Sequence, residues 1–178
     1  MPTSGSVSRN WLPDSISVRF RVMEIRPLTN GDVGAISTWR YPQPYSTYDV
    51  TGPISASGGY WAVYDAEQLV GYCCFGFQAR VPGIDEEQGT VDVGYGLRPD
   101  LVGRGLGREF VATVCTFALS TFSPLRLRLL ILDWNQPSRK VAEALAFKYQ
   151  RSVRNAQGEF VIMVRNRDGR ANAAVRIT

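Results

Sequence analysis

The run VDVGYGLRPDLVGRGLGREF, residues 91–110, constrains this chain more than any other part of it. Val91, Val93, Tyr95 and Leu97 alternate with Asp92, Gly94 and Gly96, the period-two pattern of a strand, here loosened by two glycines. Pro99 follows, and Gly103-Arg-Gly-Leu-Gly107 leads into residues 106–122. There Phe110, Val111, Val114, Phe117 and Ala118 recur at the three-to-four spacing of an amphipathic helix. Strand, glycine turn and helix in that order make an anion cradle. Glycines admit positive φ and close backbone approach, so successive N–H groups converge on phosphate oxygens while the helix N-terminus adds partial positive charge. Arg104 and Arg108 add cations. The third glycine is misplaced for the dinucleotide fingerprint, and the Gly-Lys-Ser/Thr end of a P-loop is missing. Taken alone, the loop is also readable as a tight turn that holds nothing.

Composition narrows the chemistry around that cradle. The 178 residues include no histidine, which removes a Ser-His-Asp triad, a Cys-His dyad, a histidine base and a histidine-ligated zinc site. Carboxylates, tyrosines, serines, arginines and the backbone remain, and no metal is expected. The three cysteines are an odd number, and adjacent Cys73 and Cys74 point to opposite faces of a strand, so buried single thiols are expected rather than a disulfide framework. A cytoplasmic location fits. No signal-peptide run or membrane span is found.

The net charge of +4 is unevenly placed. Residues 1–125 hold nine arginines and no lysine against twelve acids, a balance of −3; residues 126–178 hold nine arginines and two lysines against four acids, a balance of +7. The basic part suits an anionic ligand, nucleic acid, or a solvated face with a loose tail.

No repeat or linker divides the chain. We expect a poorly ordered leader at residues 1–22, one domain at 23–166 and a basic tail at 167–178. A first strand within residues 15–27 is followed by a helix carrying Asp32 near its start. Residues 41–48, punctuated by Pro42 and Pro44, form an aromatic loop; Trp39, Tyr41, Tyr45 and Tyr48 either line a substrate pocket or cover one edge of the core. Strands at 60–64 and 69–77 form a hairpin, the strand of residues 90–97 runs into the cradle, and the wholly apolar 129–132 closes a buried strand that begins at residue 125. Asn135 caps a helix with Pro137 in its first turn and Val141, Leu145 and Lys148 at helical spacing, and a hairpin turning at residues 155–158 ends the domain. The expected order is β-α-β-β-β-α-β-α-β-β.

These residues resemble the GNAT superfamily of acyl-CoA-dependent N-acetyltransferases. The strand, Pro99 and the loop to Gly107 look like the family's first motif. Asn135, Ser138 and Ala146-Phe147 look like its second. Residues 25–28 with Asp32, residues 69–72 and residues 92–95 look especially like the ribosomal-protein N-terminal acetylase branch. The resemblance spans residues 24–165 and implies an α+β, three-layer fold: a mixed, mostly antiparallel central sheet flanked by helices, with a splayed central strand. It implies acetyl-CoA as cofactor, with CoA as product. Gly96, Leu97, Val102, Gly103, Arg104, Gly105, Leu106, Gly107, Arg108, Asn135, Ser138 and Lys140 would hold it, with Arg139 beside Lys140 near the phosphates. Two positions depart from the pattern. Val102 replaces the usual Arg or Gln at the head of the loop, and Ala142 replaces a tyrosine that in many members protonates the departing thiolate.

Acetyl transfer to an amine needs an uncharged nucleophile, a polarised carbonyl and two reactants held in line. A backbone N–H near Gly94 or Tyr95 is the expected oxyanion donor. Asp92 is the first choice for general base, against the alternative that it fixes a neighbouring loop. Ser138 is a weak substitute for the missing tyrosine. Asp85, Glu86 and Glu87 are alternative acids that would attract a cationic amine or simply be solvated. Trp39, Tyr41, Tyr45 and Tyr48 are the substrate-binding candidates. The expected activity is acetyl transfer to a primary amine, a protein N-terminus or a small molecule, by direct attack. The alternatives are a catalytically silent acyl-CoA-binding or scaffold domain and, more weakly, a nucleic-acid binder. The expected partners are acetyl-CoA and the amine, with a second copy of the chain as a candidate, and neither nucleic acid nor membrane.

Overall fold

Seven strands form one sheet: Met23–Pro27 (β1), Tyr60–Asp65 (β2), Gln68–Phe75 (β3), Thr90–Leu97 (β4), Arg126–Leu132 (β5), Lys148–Asn155 (β6) and Gly158–Asn166 (β7). They lie in the order β1-β2-β3-β4-β5-β7-β6, antiparallel throughout except for the parallel pair β4 and β5. Helices occupy Asn30–Ser37 (α1), Gly107–Phe122 (α2) and Gln136–Ala144 (α3). The structure is a computed structural model that describes residues 23–167; the expected leader and the tail from residue 168 lie outside the described residues, as does the first part of the expected first strand.

The mixed α+β fold and the element order are those expected. The parallel pair needs a crossover, and α2 supplies it. Its buried stripe of Phe110, Val111, Val114, Cys115 and Ala118 packs on Val63, Cys73, Val93, Leu127 and Leu129. Gly71 permits this approach, because a Cβ there would lie 2.3 Å from the Phe110 ring. The opposite sheet face carries α1, whose Ile36 packs with Leu28, Ile54 and Ala62. A capping box starts α1: Thr29 N–H donates to Asp32 Oδ2 at 2.8 Å, and Asp32 N–H donates to Thr29 Oγ1 at 3.2 Å.

Three expected elements change at their edges. α3 stops at Ala144, and Ala146 takes a left-handed φ of 64° while Phe147 N–H bonds back to the Ala142 carbonyl at 3.0 Å. Lys148, expected on the helix, therefore opens β6, and the last hairpin is longer than its apolar alternation suggested. Residues 76 and 77 leave β3 for a single helical turn, Gly76–Ala79. Cys73, Cys74 and Cys115 are buried and free.

Candidate active site

β4 and β5 stay together for three rungs only: Thr90 with Arg126, Val91 with Leu127, and Asp92 with Arg128. Past that point β4 remains paired to β3 as far as Leu97, while β5 remains paired to β7 as far as Leu132. The two strands part, and a wedge opens between them. Arg98 N–H donates to the Val70 carbonyl on β3 at 2.8 Å. Alternation along β4 then turns the backbone groups of Tyr95 and Leu97 into the wedge and those of Gly94 and Gly96 toward β3. This settles which of the expected amides faces the opening: Tyr95, not Gly94. It also separates Gly96, whose backbone serves the sheet, from Leu97.

The cradle follows directly. A single turn at Pro99–Leu101 leads to Gly103 and Gly105, with φ of +80° and +79°, where only glycine is unstrained; a Cβ on either would meet nothing within 4 Å. α2 begins at Gly107 with no side-chain cap on its N-terminus, so its first N–H groups are open to an anion. Arg104 and Arg108 are exposed beside it, Leu106 and Gly107 are half-buried, and Val102 is 50% exposed on the rim. Across the wedge, Asn135 caps α3 by accepting Ser138 N–H at 3.2 Å, and its Nδ2 donates to the Tyr48 hydroxyl at 2.9 Å. Arg139 is turned to the Asp133 carbonyl at 3.0 Å, and Lys140 is exposed on α3.

Tyr95 sends its side chain to the α2 and α3 face, where its hydroxyl lies 2.8 Å from Ser138 Oγ and its ring meets Phe110 edge-on. Burial pushes this hydroxyl up to about 12. The aromatic segment bridges the mouth of the wedge. Tyr41 donates to the Leu97 carbonyl on the β4 lip at 2.7 Å, while Tyr45 and Tyr48 pack on Trp134 beyond β5, with ring centroids 5.4 and 6.1 Å away. Trp39 instead packs on Tyr72 of β3, at 6.2 Å. Tyr41, Tyr45 and Tyr48 thus border the opening, joined by Trp134, which the sequence reading did not select, while Trp39 packs with Tyr72 against the core under α1.

Three candidates have to be corrected. Asp92 is 1% exposed and accepts from Arg80 Nε at 2.9 Å and from Arg128 Nε and Nη2 at 2.5 and 3.0 Å. Both of its oxygens are committed to guanidinium groups, so it holds the vertex of the wedge and the segment carrying Arg80; the loop-fixing alternative describes it better than the base. Glu87 pairs with Arg126 at 2.9 Å and Arg128 at 3.4 Å, and Glu86 lines a groove with Phe122 and Leu125 at the C-terminal end of α2. Both precede the first residue of β4, roughly 16 Å of strand from Tyr95. Distance removes them from the acceptor site. Among the described residues no cluster of acids and thiols could hold a metal ion, and no helix is long and apolar enough to cross a membrane.

The wedge, the glycine cradle and the capped α3 belong to a known architecture. Residues 23–148 match the acetyltransferase (GNAT) domain, and the chain is a member of that family. The fold is shared with aminoglycoside acetyltransferase AAC(6')-Ib in complex with coenzyme A, at 17% identity and a TM-score of 0.69 over 83% of this chain and 96% of that one. It is shared with a spermidine N-acetyltransferase chimera of SpeG from Vibrio cholerae and hSSAT, at 13% identity and a TM-score of 0.62 over 80% and 93%. RimJ from Mycobacterium smegmatis in complex with CoA-disulfide gives 13% identity and a TM-score of 0.58 over 82% of each chain. No curated protein matches the sequence.

Proposed function

We propose that this protein is an acetyl-CoA-dependent N-acetyltransferase acting on a primary amine, either a protein N-terminus or a small molecule. The observation that carries this reading is the parting of β4 from β5 after Asp92 and Arg128, which turns the backbone edge at Tyr95 and Leu97 toward an open wedge continuous with the Gly103 cradle. The residues fit the cofactor. Open amides at the start of α2, with Arg104 and Arg108, suit a diphosphate, and a β4 edge in need of partners suits an amide-bearing arm. The likeness to CoA-bound aminoglycoside acetyltransferase and to RimJ supports the same reading, and the residue pattern at 25–28, 69–72 and 92–95 favours the ribosomal-protein N-terminal acetylase branch.

Acetyl-CoA, when bound, would supply a thioester: the neutral amine nitrogen would take the acetyl carbon as the carbon–sulfur bond breaks, the nitrogen losing one proton to solvent and the sulfur gaining one. The Tyr95 N–H, turned into the wedge, would donate to the carbonyl oxygen where charge develops, an interaction worth about 3 kcal/mol in comparable sites. The Tyr95 hydroxyl, bonded to Ser138, keeps its proton at neutral pH and would give it to the sulfur, which Ala142 cannot do. Leu97 offers its N–H to the arm, its carbonyl already accepting from Tyr41, and Asn135 stands on the facing lip.

Calorimetry with acetyl-CoA and thiol release with a panel of amines test the reading. Micromolar binding and saturable release are expected. Absence of binding by protein at about 100 μM would defeat it, and binding without release from any amine would favour a silent acyl-CoA-binding domain. Three unpaired thiols suit a reducing compartment, and the cytoplasm is the location we propose.

A further inference from the structure

With Asp92 and Glu87 tied to arginines, the acceptor site needs another account of how it recognises an amine. The cradle and both of its helices lie on one sheet face, so an acceptor reaches the wedge from the other face, where β4 presents Gly94 and Gly96. Directly beside Gly96 lies Tyr72, its cross-strand partner on β3; a Cβ on Gly96 would sit 2.4 Å from the Tyr72 ring. Trp39 and Tyr60 pack around the same ring, with centroids 6.2 and 6.3 Å from it. Tyr41 closes the group through its bond to the Leu97 carbonyl.

One carboxylate belongs to this aromatic group. Asp49 ends the segment that bridges the wedge, and its Oδ1 accepts the Tyr41 backbone N–H at 2.9 Å, which fixes the head group toward the tyrosines. It is half-buried, and among the described residues no lysine or arginine pairs with it. Burial first, and then the Asp49 charge, push the Tyr41 hydroxyl far above its ordinary range, and the same two causes contribute at Tyr72, as expected if the carboxylate lies close to both. A carboxylate without a counter-ion, beside a group of aromatic rings, is the chemistry that recognises an ammonium group.

We propose that Asp49, held beside Tyr41 and Tyr72 on the α1 face of the wedge, binds a cationic amino group of the acceptor, so that the enzyme selects cationic amines over neutral ligands of the same shape; the nitrogen that attacks the thioester does so after losing its proton to solvent. Asp49 is an acceptor-binding residue. This inference rests on the acetyltransferase reading and names the acceptor's charge class.

The test needs no turnover, because Trp39 reports from inside the group. Tryptophan emission is followed as the full chain, saturated with CoA, is titrated with hexamethylenediamine, spermidine and kanamycin, and with hexanediol as the neutral counterpart of the first. Saturable change with at least one amine, none with the diol, and a Kd raised tenfold or more in Asp49→Asn are expected. Asp49→Glu should recover most of the loss, and acetyl-CoA affinity should be the same in all variants. The inference fails if the diol binds as the diamine does, if no amine binds, or if Asp49→Asn binds amines like the native protein. Should Asp49→Asn not fold, the diamine and diol comparison on the native chain still decides. Loss of acetyl-CoA binding in the native chain would instead defeat the acetyltransferase reading, so the two failures are separable.

Discussion

Tyr95 and Ser138 meet hydroxyl to hydroxyl, 2.8 Å apart, across the seam between β4 and α3. Ser138 lies one helical turn before Ala142, on the same face of α3. In the acetyltransferase reading, the phenol that many members of the family carry on the helix would be replaced here by a phenol reaching in from the strand, and the same residue turns its backbone N–H toward the wedge.

Replacing Tyr95 by Phe should lower kcat by roughly a hundredfold, the lower end of what a positioned proton donor contributes, because a thiolate is already a fair leaving group. The KM for acetyl-CoA should stay unchanged, since the backbone amide is retained. Steady-state thiol release measures both, and an unchanged kcat would remove the hydroxyl from the reaction.

The pH profile gives a second check. A hydroxyl raised to about 12 is protonated across the neutral and mildly alkaline range and loses its proton only near that value. The donor is therefore present at low pH and lost as pH rises through about 12, so native kcat should show no falling limb from this group below pH of about 10. A falling limb near pH 9 that Tyr95→Phe abolishes would contradict the placement.

Asp92→Asn should act on stability. Removing the carboxylate takes from Arg80 its ion-pair partner and leaves Arg128, 4% exposed, with only the longer pair to Glu87 at 3.4 Å, a loss of about 3 kcal/mol, the lower end for a broken buried pair. Urea unfolding should report it, while acetyl-CoA affinity of the folded fraction falls much less. Unaltered stability with kcat lost and its pH dependence changed would return Asp92 to the role of base.

Gly105→Ala probes the cradle. The new Cβ enters open space, so only the backbone is strained, by about 1 to 2 kcal/mol at a positive φ. Relief of that strain moves the loop, and calorimetry should show acetyl-CoA binding weakened by about tenfold with little change in Tm.

The three thiols should be silent. Burial pushes Cys115 up to about 11, Cys74 up to about 12 and Cys73 higher still, so none supplies thiolate at neutral pH. A thiol reagent should label the native protein negligibly and all three cysteines after denaturation, which leaves thiol-release assays free of background.

Periodicity and punctuation carried the order of elements, the glycine cradle and the Asn135 cap, because each is written within about twenty consecutive residues. The partners of Asp92 are not written that way. Arg128 lies 36 positions away and Arg80 12, with no pattern linking them, so the sequence does not show that the carboxylate on that strand is held between two guanidinium groups. Lys148 kept helical spacing, and only the left-handed φ at Ala146 takes it out of the helix. Tyr95 was legible as a strand residue, but its contact with Ser138 depends on how α3 packs over β4.

The three-rung pairing of β4 and β5 has a further consequence. Unpaired strand edges at the rim of a sheet invite other chains and have to be shielded. Here the unpaired backbone lies inside the sheet, flanked on both sides by paired strands and crossed by the tyrosine segment, so it is sheltered from the edge-to-edge pairing to which a rim strand is open.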